Sequence, residues 1–465
     1  MARSCYGRVI RTSCPALGGS SGSWGPIMRR LWLAAIIAGL VLVTCQIRIG
    51  SSAAAHTQPQ QIHLSYGASE NQRVVTWVTF DRTSPPTVEY GFSGFHETAQ
   101  GSTTRFRDGG RKKRVLYIHR VLLKDLERGT EYMYHCGSAE GWSAVYTFRV
   151  APWDSSNATI AVFGDLGSLN ARSLPALQQD THTKKIDAVL HLGDFAYDMH
   201  SRDATVGDEF MRQIEPIAAY VPYMTAVGNH ENAYNFSNYA NRFSMMDKSG
   251  NFNNFFYSFD IGPAHIISYS TEFYFFLNYG WHHVPQQYHW LEKDLQEANL
   301  PENRAKRPWI ITMSHRPMYC SNVRFRDCNS NASIARKGFP LTKMYGLEKL
   351  FFKYGVDLHF TGHQHSYERL WPVYDGVVYN GSSTDPYVNP RAPVHVVTGA
   401  AGNWEFLSPF VPNPKPWSAV RISDYGFTKL HLINRTHIQL QQISTREKPH
   451  VVDAVHIVKD KPRNF

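Results

Sequence analysis

The sequence lacks internal repeats, low-complexity tracts and any coiled-coil heptad pattern, so its 465 residues read as ordinary globular chain. A spanning helix needs about 20 consecutive apolar residues. The uncharged run at residues 31–45 falls short of that, and no stable membrane span is expected. Acidic residues are missing altogether from residues 1–55, which hold Arg3, Arg8, Arg11, Arg29, Arg30 and Arg48 but no Asp, Glu or Lys. Setting those six arginines aside lowers the formal charge from +10 to +4, which removes the case for a nucleic-acid partner. Cysteine is scarce as well. Cys5, Cys14 and Cys45 lie in the same leader, which leaves Cys136, Cys320 and Cys328.

What is present in the leader has a clear order. Met28-Arg29-Arg30 precedes the apolar run, and Ser51-Ser52-Ala53-Ala54-Ala55 follows it. A basic flank, a short apolar core and small residues describe a secretory signal peptide, with Met28 as the alternative start and a signal anchor as the alternative reading. Five glycosylation triplets, at Asn157, Asn235, Asn331, Asn380 and Asn434, fit a secreted glycoprotein, extracellular or, as second choice, lumenal in the lysosome. Cys320 and Cys328 stand eight residues apart in a polar loop, and an oxidising compartment would join them; Cys136, in a strand pattern, would be a buried thiol.

Four segments follow from texture: a leader at 1–55, a β domain at 56–150, an α/β domain at 151–392 and a β segment at 393–465 that completes it. Residues 56–150 show strand patterns without helices. Arg73-Val74-Val75-Thr76-Trp77-Val78-Thr79 alternates with Trp77 turned inward, and Pro85-Pro86 and Gly109-Gly110 punctuate as turns. About seven short strands in some ninety residues predict a β-sandwich, and Leu126, Gly129, Tyr132 and Tyr134 resemble the tyrosine region of a fibronectin type III domain. After residue 152 apolar strands alternate with helix-like stretches at 208–220, 285–300 and 340–354, which argues for an α/β core.

Five apolar runs in that core end in polar residues of metal-binding type. They close on Gly164-Asp165-Leu166-Gly167, Gly193-Asp194 with Tyr197 beyond, Gly228-Asn229-His230-Glu231, Ser314-His315, and Gly362-His363-Gln364-His365. In open α/β sheets ligands bind outside the carboxyl ends of strands, where each of these stands. Two metal ions need about seven protein ligands with one carboxylate shared. Asp165, Asp194, Tyr197, Asn229, His315, His363 and His365 supply that set. Taken singly, Asn229 is a helix cap, Asp165 a turn residue and His315 a packed histidine; the five strand ends together point to one centre. Carboxylate, phenolate and imidazole suit a hard trivalent ion beside a divalent one.

These five motifs resemble those of the purple acid phosphatases, in the long, plant-like form found in animals, and the likeness extends to the β domain, to Tyr367-Glu368-Arg369 and to Asp424-Tyr425-Gly426-Phe427. The resemblance implies a metallophosphoesterase sandwich, two mixed β-sheets flanked by helices, behind the fibronectin III-like domain. It also implies one binuclear centre: Asp165, Tyr197 and His365 on Fe(III); Asn229, His315 and His363 on Zn, Fe or Mn; and Asp194 bridging. A metal-bound hydroxide would attack phosphate monoesters, free or on proteins, and His230 would bind the phosphate, protonate the leaving alcohol or orient a ligand. Related metallophosphoesterases carry Asp-x-His at the first motif; here Gly167 stands there, and Tyr197 takes up the vacancy. Plant members carry further histidines after the position of His315, whereas residues 316–327 hold none. Arg324 and Arg326 are the candidates to replace them, or else solvated loop charges. A phosphodiesterase or nucleotide pyrophosphatase on the same metals, and a non-catalytic adhesion glycoprotein, are the alternative functions. Oligomeric state has no signature in the sequence.

Overall fold

The computed structural model describes residues 55–152, 157–323, 327–330 and 333–460. The leader apart from Ala55, the triplet at Asn331, and Arg324 and Arg326 lie outside the described residues.

Strand alternation in the first segment produces two facing antiparallel sheets. One runs Gln60–Tyr66, Arg73–Thr79, Val115–Leu123, Ser102–Arg107; the other runs Glu97–Gln100, Thr87–Gly91, Glu131–Ser138, Gly141–Trp142, with Tyr146–Arg149 also paired to Glu131–Ser138. That makes nine strands where seven were expected. Glu97–Gln100 is almost wholly exposed and Gly141–Trp142 is two residues long, so neither carries an apolar period. Trp77, Val75, Val121, Tyr134 and Phe148 fill the space between the sheets. The Tyr132 hydroxyl accepts the Glu127 N–H at 2.8 Å, a corner contact that closes the chain back on itself.

The second region is a pair of mixed sheets. In the six-stranded sheet Ala158–Phe163 lies parallel to Ala188–His191, which lies parallel to Tyr223–Thr225. On its other side Ala158–Phe163 pairs antiparallel with Gly426–Leu432, followed by His437–Ser444 and His450–Val458. The seven-stranded sheet orders Tyr257–Ile261, Ala264–Ser268, Trp309–Met313, Leu358–Thr361, Val394–Thr398, Tyr367–Leu370 and Ser418–Ile422. Thus the late β stretch enters both sheets. The inner faces share one core through residues such as Val162, Leu190, Ile311, Phe360 and Leu430. Helices Leu174–His182 and Ser201–Ala218 add Leu177, Phe210 and Ile214 to that core, while His283–Ala298 and Leu347–Lys353 cover Ile267 and Ile310 of the seven-stranded sheet.

One helix is shorter than its sequence suggests. The stretch 340–354 is helical only over Leu347–Lys353, because Lys343 and Tyr345 take left-handed backbone (φ 54° and 62°), which no right-handed helix can include. Leu341, which completes the apolar period, is 98% exposed. No helix among the described residues is long and apolar enough to cross a membrane.

The sandwich and the α/β region meet in a polar seam. Arg242, wholly buried, donates to Asp208 at 2.9 Å and to Gln61 at 3.2 Å. Arg114 reaches the same Asp208 at 2.6 Å, and Tyr134 donates its hydroxyl to the Ala219 carbonyl at 2.7 Å. Glu215 accepts from the Ile62 N–H and the Tyr146 hydroxyl at 3.1 and 2.7 Å.

Candidate metal centre

The parallel strands of both sheets stop at a common edge, and their exits are tied together. Gly164 donates to Thr398 O at 2.9 Å, Asp165 to Gly193 O at 3.1 Å, Ser314 to Phe360 O at 3.1 Å, and Gly362 to His315 O at 2.9 Å. Close approach explains the glycines in these turns. A Cβ on Gly193 would stand 2.6 Å from Gly228 N and 2.9 Å from His315 Nδ1, and one on Gly362 would stand 2.5 Å from Asp165 Oδ2. Asp165, Asp194, Tyr197 and His363 all adopt left-handed backbone (φ 61°, 52°, 48° and 66°). Each costs about 1–2 kcal/mol in an L-residue, and four together at one edge aim side chains inward that a regular strand would not.

All seven candidate ligands converge there, in two adjoining groups. In the first, the Tyr197 hydroxyl donates to Asp165 Oδ1 at 3.1 Å and lies 3.0 Å from His365 Nε2, which is itself 3.4 Å from Asp165 Oδ1. In the second, His315 Nε2 lies 3.1 Å from Asp194 Oδ2, 3.2 Å from Asn229 Oδ1 and 3.2 Å from His363 Nδ1. Donor atoms of Asp194, His315 and His363 fall within 4.8 Å of one another. The groups touch, since the His363 N–H donates to Asp165 Oδ2 at 2.8 Å. The two histidines of this turn, His363 and His365, thereby stand in different groups.

Carbonyl acceptors fix the imidazoles. His315 Nδ1 donates to Leu192 O at 2.7 Å and His365 Nδ1 to Phe406 O at 2.8 Å, which turns both Nε2 atoms toward the centre and makes them the ligand atoms once their protons leave. By itself the donor set holds protons tightly. Burial opposes charge on His315, but Asp194 overcomes it and raises the pKa to about 9. His365 is raised against burial by its bond to Asp165. Tyr197 stays far above the usual phenol range through burial and the nearby Asp165 and Asp194 carboxylates. Burial also works against the Asp194 charge, yet His315 and His230 hold its carboxyl below the ordinary range. Such a knot of anions, lone pairs and retained protons fits multivalent cations, and oxygen and imidazole donors without thiolate fit iron beside zinc.

His230 stands at the mouth. Its Nδ1 is bonded to Asp198 Oδ1 at 2.6 Å, and its Nε2 faces Glu405 Oε1 at 3.6 Å and Asp194 Oδ2 at 3.9 Å. Burial opposes its charge, but Asp194 and the Asp198 bond lift the pKa to about 10. Neither Asp198 nor Glu405 was singled out from sequence.

Glu231 organises the turns, a role that motif reading did not assign. Its Oε2 accepts N–H groups from Asp194 at 2.9 Å and Gly228 at 3.0 Å, and its Oε1 accepts Phe195 N–H at 3.0 Å. Burial and Asp194 push its pKa up to about 8. Even so, both oxygens face N–H donors, a carboxyl proton would lack an acceptor, and the residue is therefore the carboxylate. Glu272 and Arg316 were likewise missed. Arg316 donates Nε to the fully buried Glu272 at 2.9 and 3.0 Å, and its Nη1 lies 3.1 Å from His363 Nε2. A pair 44 residues apart leaves no local signal.

The Cys320–Cys328 disulfide is formed and buried, and Cys136 is a buried free thiol. Gln364, between His363 and His365, donates Nε2 to Cys328 Sγ at 3.5 Å. Of the glycosylation candidates, Asn157 and Asn235 are exposed, whereas Asn380 and Asn434 are half-buried, with Asn434 Oδ1 accepting from Thr436 and His437 N–H at 2.8 Å each.

Three family models match the chain: "Purple acid Phosphatase, N-terminal domain" over residues 59–150, "Calcineurin-like phosphoesterase" over 158–367, and "Iron/zinc purple acid phosphatase-like protein C" over 392–454. Among curated relatives, human acid phosphatase type 7 is 53% identical over 417 residues, covering 88% of this chain and 93% of its own. The Fe(3+)-Zn(2+) purple acid phosphatase 12 of Arabidopsis thaliana is 32% identical, covering 82% and 80%. Among solved structures, a purple acid phosphatase from yellow lupin seeds superposes with a TM-score of 0.73 at 28% identity, covering 87% of this chain and 75% of that one.

Proposed function

The chain belongs to the purple acid phosphatase family and is a metal-dependent acid phosphatase; from that premise we propose that it hydrolyses phosphate monoesters, on small molecules or proteins, as a secreted or lumenal glycoprotein. The observation that carries the reading is the convergence of seven ligand-type side chains from five strand ends into two touching groups. Asp165, Tyr197 and His365 would hold Fe(III); Asn229, His315 and His363 would hold Zn, Fe or Mn; Asp194 would lie between them. Such a pair supplies an activated water and positive charge for the phosphoryl oxygens.

The chain's own residues do the rest. Asp198 clamps His230 Nδ1, so the ring presents its Nε2–H toward the centre, where it can protonate the departing alkoxide. Glu231 keeps the Asp194 and Asn229 turns in register. Leu192 O and Phe406 O keep His315 and His365 from rotating. The signal-peptide pattern of the leader sequence, the exposed Asn157 and Asn235, and the buried disulfide support passage through an oxidising, glycosylating compartment.

The test is metal analysis with a visible spectrum on wild type and Tyr197→Phe, followed by turnover of a monoester and a diester at acid pH. About two metals per chain, a visible band lost in the variant, and preference for the monoester are expected. A colourless protein that takes up no iron, or a preference for the diester, overturns the reading.

A further inference from the structure

The loop after His315 holds no histidine, yet a phosphate ester at this centre brings oxygens that need donors beyond the metals and His230. Arg316 is the cation whose position answers that need. Its guanidinium stands 4.3 Å over the Phe275 ring, donates Nε to Glu272 and directs Nη1 to His363 Nε2. Its backbone N–H is fixed by Thr271 Oγ1 at 2.9 Å. The Arg316 side chain is 17% exposed, while its anchor, Glu272, is sealed.

A metal ion held by His363 would displace the contact between His363 and Arg316. His363 Nδ1 faces His315 Nε2 at 3.2 Å and is the nitrogen aimed at the shared ion. A neutral imidazole that gives its Nδ1 lone pair to an ion carries its proton on Nε2. That proton then confronts an N–H of Arg316, which cannot be surrendered, across 3.1 Å. Two donors do not bond, so Nη1 needs another acceptor. Glu272 already takes the Nε proton with both oxygens. Among the described residues Glu272 is the carboxylate paired with Arg316, and a phosphoryl group bound at the centre would bring the further acceptor.

We propose, on the metal-centre reading given above, that Arg316 is a substrate-binding residue whose Nη1 edge holds a phosphoryl oxygen at the divalent half of the site, in place of loop histidines. Glu272 and Phe275 then aim the guanidinium and leave its fork edge for the ligand.

Arg316→Gln alone would strand the buried Glu272 charge, so the decisive comparison is the charge-compensated pair Arg316→Gln with Glu272→Gln, beside Glu272→Gln alone and Arg316→Lys. Each is measured for metal content, for inorganic phosphate binding by calorimetry, and for kcat and KM on one monoester. The double variant should keep its metals and lose about 10- to 100-fold in phosphate affinity, seen equally in KM. Glu272→Gln, which keeps one oxygen for Arg316 Nε but aims the guanidinium less firmly, should lose clearly less phosphate affinity than the double variant, and Arg316→Lys should fall between Glu272→Gln and the double variant. If Arg316 only balances Glu272, the double variant binds phosphate like wild type, and the proposal is overturned. Loss of metal from Arg316→Lys and the double variant alike also overturns it, since Arg316 then supports the ligands. Wild type without metals or turnover would refute the underlying phosphatase reading instead.

Discussion

Replacing Glu231 by Gln tests the internal logic of the centre most directly, because the substitution keeps shape and removes only charge and one acceptor. The carboxylate accepts three backbone N–H groups, from Asp194, Gly228 and Phe195. An amide can place its oxygen where Oε2 sits and keep two of them. Its NH2 then meets the Phe195 N–H, so one charge-assisted bond is lost, a buried donor is stranded, and the other two bonds weaken. Together these cost about 3 kcal/mol. The folded unit of residues 56–465 has an unfolding entropy of ~0.9 kcal/mol/K by the usual value per residue. The melting temperature should therefore drop by about 3 °C. Displaced Asp194 and Asn229 turns should also weaken metal retention roughly 10- to 100-fold. Scanning calorimetry and metal analysis after dialysis against a chelator read the two effects. Unchanged melting and metal content in Glu231→Gln would refute the reasoning, since Gln imitates a protonated Glu and the side chain would then be neutral in the fold.

Three further outcomes follow from other sites. His265, buried between Asp260 Oδ1 at 2.7 Å and Asp294 Oδ2 at 2.9 Å, is lifted against burial by these two carboxylates from 6.5 to about 9. A raised folded pKa stabilises fully below the unfolded value, so denaturant-measured stability should fall by about 3 kcal/mol as pH rises from 6.5 through 9, and His265→Gln should flatten that slope. His230→Asn should lower kcat roughly 100-fold with metal content unchanged, by steady-state assay beside metal analysis. Cys320→Ser with Cys328→Ser should cost about 2.5 kcal/mol in urea unfolding and loosen the histidine turn through Gln364, seen as faster metal loss to a chelator.

The site was legible in the sequence because buried parallel strands are apolar throughout and stop at glycine, so each ligand stands just past an evident boundary. Asp165, Asp194 and His363 need no partner close in sequence to be found; their strand ends mark them. Glu231 escaped assignment because it works through main-chain N–H groups of other turns, which have no residue code. Glu272 and Arg316 escaped because their pairing exists only after two strands of one sheet are laid side by side. The helix expected at 340–354 went astray for the opposite reason: Leu341 and Met344 keep a helical period although nothing covers Leu341. Two short strands of the sandwich were missed because exposed or two-residue pairings have no period to read.

The seam between sandwich and α/β region decides how the molecule can be divided. A chain begun at residue 151 would lose Gln61 and Arg114, leaving Arg242 and Asp208 to water on one side. Glu215 would lose both its donors, and the Ala219 carbonyl its only tyrosine. The catalytic region therefore has no independent surface there. Melting should be a single cooperative event, and inheritance should keep the two parts together: a lineage that discards the sandwich must give that flank a water-compatible surface, Ala219 and Tyr220 included, before it can keep the metal edge in place.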